Sequence, residues 1–252
     1  MRKYWRLFSA LVLSLSLAAG LASCSDDDGY SLGKYWESIV TVNKVGDNTY
    51  DFTLDNGKKL WVAAPAGLNL KPKYGRAIIN YTILSDKIDG YDHYIRLNGF
   101  YDVLTKPVIY IAEDDEIKQD SIGYDPIKVH AIWEGGGFLN IYFGFNAGGY
   151  ESHMVNLVTA KEDFGANDEI PELAFRHNVN GDKENHAANA YASFDLKPYI
   201  VAGKDKATLK ISWKDFDGEV KSKIIEYKFD NEDAPLANEI TPQAEDTNLN
   251  IY

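Results

Sequence analysis

The sequence predicts an all-β protein in two parts, a small closed barrel followed by a β-sandwich. Three observations carry this. Beyond residue 21 no window sustains a 3.6-residue apolar period, whereas apolar residues alternate with polar ones again and again. The apolar runs are short and are bounded by Gly, Asn and Asp clusters. About five of them fall within residues 36–100, a stretch too short for a sandwich, and about eight within residues 108–229.

Residues 36–42 read as the first strand. Tyr50, Phe52 and Leu54 then share one face, with Thr49, Asp51 and Thr53 on the other. Asn56-Gly57 is the signal for a two-residue type I′ hairpin turn, and Leu60, Trp61 and Val62 begin the returning strand. Residues 77–84 and 91–100 complete the barrel. In the second half, strands are expected at 108–111, 127–133, 139–145, 155–160, 173–176, 187–194, 207–213 and 223–229. The clearest is 207–213, where Ala207, Leu209, Ile211 and Trp213 oppose Thr208, Lys210, Ser212 and Lys214. Helix is not expected beyond the leader. The expected organisation is thus a leader at 1–23, a tether at 24–34, the barrel at 35–102, the sandwich at 103–230 and a polar tail at 231–252.

The chain has 252 residues, 26 Lys and Arg against 38 Asp and Glu, and a formal charge of −12. That balance disfavours nucleic acid, whose phosphates require clustered cations. A single cysteine excludes an intrachain disulfide and a cysteine-based zinc site. Arg2, Lys3 and Arg6 precede an uncharged apolar run at 7–21, too short for a bilayer core of about 30 Å and suited to a signal peptide. The run ends in Leu21-Ala22-Ser23-Cys24, which resembles a bacterial lipobox. That resemblance implies cleavage before Cys24 and lipidation of its thiol, with the acyl chains (palmitate among them) as the only non-protein group. Removing Arg2, Lys3 and Arg6 takes three positive charges from −12, leaving −15 on the mature chain. Several acyl chains give stable membrane anchoring where one does not. Asp26, Asp27 and Asp28 follow the cysteine; an acidic tract there resembles the signal that carries lipoproteins to the outer membrane and its outer face.

Further residues carry a wider resemblance. The acidic tract after Cys24, FTLDNG at 52–57, VLTKP at 103–107, FRHN at 175–178, Gly181-Asp182 and SFDL at 193–196 occur in an order and spacing similar to the NigD-like family of bacterial lipoproteins. The resemblance implies an OB-type barrel followed by a β-sandwich, and a role in bacteriocin immunity. None of these segments is a catalytic signature, so the resemblance bears on fold and location more than on chemistry.

Enzymatic constellations are weak. There is no G-x-S-x-G elbow. Ser152 and His153 are neighbours, but adjacent strand residues point to opposite faces. His177, Asp182 and His186 sit in one stretch, HNVNGDKENH, whose residue types suit zinc but whose spacing fits no dedicated motif. Asn180-Gly181-Asp182 is explained equally by turn chemistry, and no metal is expected. Asp86, Asp89 and Asp92 around Gly90, and Asp215, Asp217 and Glu219 around Gly218, lack the spacing of an EF-hand loop and fit hairpin turns. Asp114, Asp115 and Glu116 read as a solvated loop. Gly135, Gly136 and Gly137 lie between two strands and open no helix, so they read as a turn rather than a phosphate loop. The protein is expected not to be an enzyme.

Aromatic residues make up 13% of the chain, and most belong in a β core. Tyr91, Tyr94 and Tyr101 in the first half, and Tyr142, Tyr150 and Tyr191 in the second, alternate with or flank polar positions. They are the candidate ligand-binding residues. Two partners fit them: a protein or peptide, drawn to the acidic surface, or a glycan stacked on an aromatic face. The expectation is a binding lipoprotein in immunity, with a carbohydrate-binding or surface-assembly module as the alternative.

Overall fold

The structure is a computed structural model that describes residues 32–161, 170–200 and 204–229. The leader, Cys24, most of the tether and the tail lie outside the described residues. Among those described there are thirteen strands in two sheets, one short helix and one 3₁₀ turn.

Strands β1 (Trp36–Lys44), β2 (Tyr50–Leu54), β3 (Lys59–Ala64), β4 (Arg76–Ile83) and β5 (His93–Pro107) run in the order β3-β2-β1-β4-β5. A parallel pairing of β3 with β5, from Leu60 opposite His93 to Ala64 opposite Arg96, closes them into a barrel. Closure removes both sheet edges and leaves one face of each strand inside. Val40, Phe52, Leu60, Ile79 and Ile95 fill that interior.

The Asn56-Gly57 turn differs from the type I′ expectation. Gly57 has φ of 81°, but Asn56 is not among the residues at positive φ. The Gly57 amide bonds Leu54 O at 2.9 Å, giving a type I turn followed by a left-handed glycine. The longer connection leaves Asp55 free to reach out of the hairpin.

Strand β5 is the longest element. Beyond the barrel it continues through residue 103 without a break, and Leu104–Pro107 pair in parallel with β11 (His186–Asp195). The sheet therefore goes on through β11, β8 (Phe138–Ala147) and β7 (Lys128–Gly135). A second sheet packs against it in the order β13 (Val220–Lys228), β12 (Lys206–Lys214), β10 (Glu172–Asn178), β9 (Met154–Thr159) and β6 (Ile109–Tyr110). Leu139, Ile141, Phe143 and Phe194 from one sheet meet Leu157, Phe175, Leu209 and Ile211 from the other.

One expectation is overturned outright. Residues 114–116 are not a plain loop: Asp115 caps a helix, α1 (Glu116–Ile122), accepting from the Lys118 amide at 3.1 Å. The helix buries no residue of its own and so carries no apolar period to read. Arg176 of β10 holds it by donating to Gln119 Oε1 at 3.0 Å and Gly123 O at 2.7 Å.

Barrel and sandwich are joined by a buried cation. Arg76 is wholly inaccessible and pairs with Asp55 at 2.7 Å. It also donates to Thr41 Oγ1 and, across 3.3 Å, to Asn140 Oδ1 of the sandwich, with its guanidinium 4.8 Å from the Phe138 ring centroid. The expected glycine turn is the β7–β8 hairpin, and it wraps this pair. A Cβ on Gly135 or Gly136 would run into the Asp55 carboxylate. Glycine is needed there for space as well as for the φ of 61° at Gly136.

Candidate functional site

The outer face of the barrel carries a transverse row of polar and aromatic side chains. Strand pairing sets Asn43 opposite Asp51, Asp51 opposite Trp61, and Trp61 opposite Tyr94. The neighbours Val42, Phe52, Leu60, Val62 and Ile95 point into the barrel, so the pleat turns this row outward. A tight turn adds a fifth member. Asp89 and Gly90 have φ of 51° and 87°, and Ile88 and Tyr91 exchange both backbone hydrogen bonds, at 3.0 and 2.9 Å. This is the type I′ geometry, and it directs Tyr91 back over the row.

Hydrogen bonds fix the arrangement. The Tyr91 hydroxyl donates to Asp51 Oδ2 at 2.9 Å, while Asn43 Nδ2 donates to Asp51 Oδ1 at 2.8 Å. The Tyr94 hydroxyl donates to Asp89 Oδ2 at 3.3 Å. Both phenols are shifted upward, through desolvation first and then through the carboxylates they face. Trp61 and Tyr91 have ring centroids 5.2 Å apart at 49°, and Tyr91 and Tyr94 6.2 Å apart at 74°. The three rings thus form a corner, not a flat plate.

The other candidate tyrosines lie elsewhere. Tyr142 and Tyr191 are cross-strand partners on the outer face of the sandwich, stacked at 4.6 Å and 18°. His130 covers Tyr142 at 4.9 Å, and Trp133 meets Tyr191 edge-on. Burial, with the charge of Glu37 of the barrel contributing, pushes the Tyr191 phenol well above its ordinary range. Tyr101 is exposed on β5, and Tyr150 is exposed in the β8–β9 loop with the Lys183 ammonium 5.7 Å from its ring. The six residues therefore fall in four places. Trp61, Asp51 and Asn43 were not among the sequence candidates; the hairpin alternation that puts Asp51 opposite Trp61 was the available signal.

A second polar cluster is buried at the end of the sandwich. The partner of His177 is His153, not His186, which is exposed at the start of β11. His177 Nδ1 donates to the Pro126 carbonyl at 3.1 Å, so its Nε2 accepts from His153 Nδ1 at 2.9 Å. His153 Nε2 lies 3.2 Å from Asp182 Oδ2. Asp182 in turn receives the amides of Gly148, Gly149, Tyr150 and Glu151 at 2.6–3.3 Å. Burial opposes its charge, but these backbone donors outweigh burial and hold the carboxyl well below its ordinary range. Burial and the neighbouring His153 push His177 down to about 4 against the Pro126 bond. The chain is closed at both ends by backbone, and it clamps the β8–β9 loop to the β10–β11 loop. Among the described residues no group of three or more His, Cys, Asp or Glu converges as a metal site.

Comparison with known proteins agrees with this architecture. A family profile described as NigD-like N-terminal OB domain matches residues 39–103, and one described as NigD-like C-terminal beta sandwich domain matches residues 109–227. Among solved structures, a protein from Parabacteroides distasonis called toxin-related is 28% identical with a TM-score of 0.67, over 79% of this chain and 96% of its own. A protein of unknown function from Bacteroides vulgatus is also 28% identical with a TM-score of 0.67, covering 82% and 97%. A NigD-like immunity protein from Bacteroides caccae is 27% identical with a TM-score of 0.61, covering 80% and 99%. No curated protein matches the chain.

Proposed function

The chain belongs to the NigD-like family, and from that premise we propose that it is a non-enzymatic envelope lipoprotein that acts by binding, in bacteriocin immunity. The observation that carries the reading is the outward row on the barrel: three aromatic rings and a carboxylate, held by hydrogen bonds on rigid strands. Such a face arrives at an encounter already ordered and loses little side-chain entropy on contact. The name of the Bacteroides caccae relative supports the immunity role. Lipidation at Cys24 tethers the protein to the membrane, and the acidic tract favours the outer membrane with the domain facing outward. There the charge of the mature chain raises the local concentration of cationic ligands.

The histidine cluster supports a structural role rather than catalysis. Its polar chain runs between a carbonyl and a set of backbone amides, and among the described residues no hydroxyl hydrogen-bonds either histidine. The carbohydrate alternative draws less support, because the Tyr142 ring lies between His130 and Tyr191 with both faces covered.

The test is deletion of the gene in its native host, followed by challenge with bacteriocin preparations from competing strains. Deletion sensitises the cells to at least one preparation. The wild-type gene restores protection, and Cys24→Ala, which also abolishes labelling by radioactive palmitate, does not. A deletion strain as resistant as its parent to every preparation refutes immunity.

A further inference from the structure

Strand β2 and the turn that follows it carry two buried carboxylates, Asp51 and Asp55, and the fold treats them differently. Asp55 is 8% exposed and has the Arg76 guanidinium at 2.7 Å. Asp51 is 7% exposed, and its hydrogen-bond donors are a neutral amide and a neutral phenol. Among the described residues no cation lies within ion-pair distance of it. A carboxylate withdrawn from water with neutral donors alone is incompletely compensated.

The rings above it show the same lack. Three rings elsewhere are covered by the chain's own cations: Phe138 by Arg76 and Lys197, Tyr124 by Arg176 and Lys214, Tyr150 by Lys183. Among the described residues none sits on Trp61, Tyr91 or Tyr94. Two cations stand two residues from members of the row, Arg96 beside Tyr94 and Lys59 beside Trp61. Arg96 is turned away, donating to Asn98, Thr82 and the Leu32 carbonyl. Lys59, two residues from Trp61 on the same strand face, forms no ion pair with Asp51.

We infer that the corner formed by Trp61, Tyr91 and Tyr94 over Asp51 is a binding site for a lysine or arginine side chain presented by a protein or peptide ligand. Steeply inclined rings offer faces from more than one side, which suits a compact cation. A flat platform for several sugar rings would need near-coplanar aromatic rings, which angles of 49° and 74° do not provide. Phenols that donate to Asp51 and Asp89 become more electron-rich, and this strengthens the attraction of their faces for positive charge. Asp51 supplies the charge-assisted partner. The inference rests on the binding reading above and names the chemistry of its ligand.

The experiment titrates the purified full-length lipoprotein, in detergent, with pentalysine and pentaarginine, and with pentaglutamate as the control. The readout is the Trp61 indole N–H signal in a ¹⁵N NMR spectrum, assigned with Trp61→Phe. The cationic peptides shift it saturably and pentaglutamate does not. Asp51→Asn keeps the shape, the bond from Asn43 on its one oxygen and, with the Tyr91 hydroxyl turned to accept, a bond from its new amide; it weakens binding about tenfold or more. Trp61→Leu, followed through the Asp51 and Tyr94 amides, weakens it about 3- to 30-fold. Glu226→Gln removes the same charge from an exposed pair on β13 and leaves binding unchanged. No shift at Trp61, or equal weakening by Asp51→Asn and Glu226→Gln, overturns the site. The immunity assay is separate. A strain that loses no protection on deletion, while the peptides still titrate Trp61, refutes immunity and leaves the cation site standing. Sensitised cells with a silent Trp61 do the reverse.

Discussion

Removing the Asp55 carboxylate should destabilise the molecule far more than its position beside a hairpin turn suggests. Arg76 has no exposed surface, so water cannot replace the lost charge. What remains around the guanidinium is the Thr41 hydroxyl, the Asn140 amide oxygen and the Phe138 ring, all neutral. Breaking one partner of a buried pair in this way costs about 3–5 kcal/mol. Asp55→Ala is therefore expected to lower the urea midpoint by about 1–2.5 M at a slope of about 2–3 kcal/mol/M. The double variant Asp55→Leu with Arg76→Met removes both charges, and replacing a buried pair by apolar residues is often close to neutral. It should recover most of the loss. Urea unfolding of both variants at pH 7, followed by circular dichroism, decides the matter. An Asp55→Ala loss below about 1 kcal/mol, or a double variant worse than the single, refutes the argument that charge compensation holds the barrel to the sandwich.

Three further outcomes follow from the same structure. His177 stays neutral in the folded protein down to about 4, whereas the unfolded chain binds that proton near the ordinary 6.5; stability is intact above 6.5 and falls by up to about 1.4 kcal/mol per pH unit toward 4, and urea midpoints that stay level across that window would refute it. Asp182→Asn removes the charge held by four backbone amides and strands His153, so it should cost about 3 kcal/mol and speed hydrogen exchange at residues 148–151 before the core, as mass spectrometry would show. Gly136→Ala meets both the Asp55 carboxylate and a φ of 61° and should lose more thermal stability than Gly218→Ala, where φ is 85° but nothing lies within 4 Å; equal losses would show that the hairpin has room to yield.

The strands were legible because one face of each is buried, and a period of two survives in the sequence whenever that holds. Residues 207–213 show it best, with Leu209 and Ile211 fully buried in the sandwich. The helix α1 left no such trace, since it buries nothing and is tied down by an arginine more than fifty residues away. Strand β5 was read short because its last residues leave the barrel and take a new partner in β11, and pairing between distant segments has no local signature. The same limit hid the latch: Asp55, Arg76 and Asn140 look unrelated until the sheet is assembled.

For the candidate site, composition drew attention to tyrosines but could not say which of them are left uncovered. That depends on what covers each ring, and the cover comes from other strands. Strand order misled similarly for the histidines, because proximity in sequence joined His177 to His186. Antiparallel pairing sets Val155 opposite His177 and so brings His153, two residues from Val155, to the same end of the sheet, while His186 departs along β11 opposite Ala147. Tyr142 loses its faces to His130 and Tyr191, and Tyr150 has Lys183 beside it. Among the described residues no cation sits on Tyr91 or Tyr94, and the carboxylate beneath Tyr91 has no counter-ion. Both features are consequences of the barrel's register: a one-residue slip of β2 against β3 would turn Asp51 and Trp61 inward, destroying core and site together. The barrel's stability and its outward row are thus set by a single alignment.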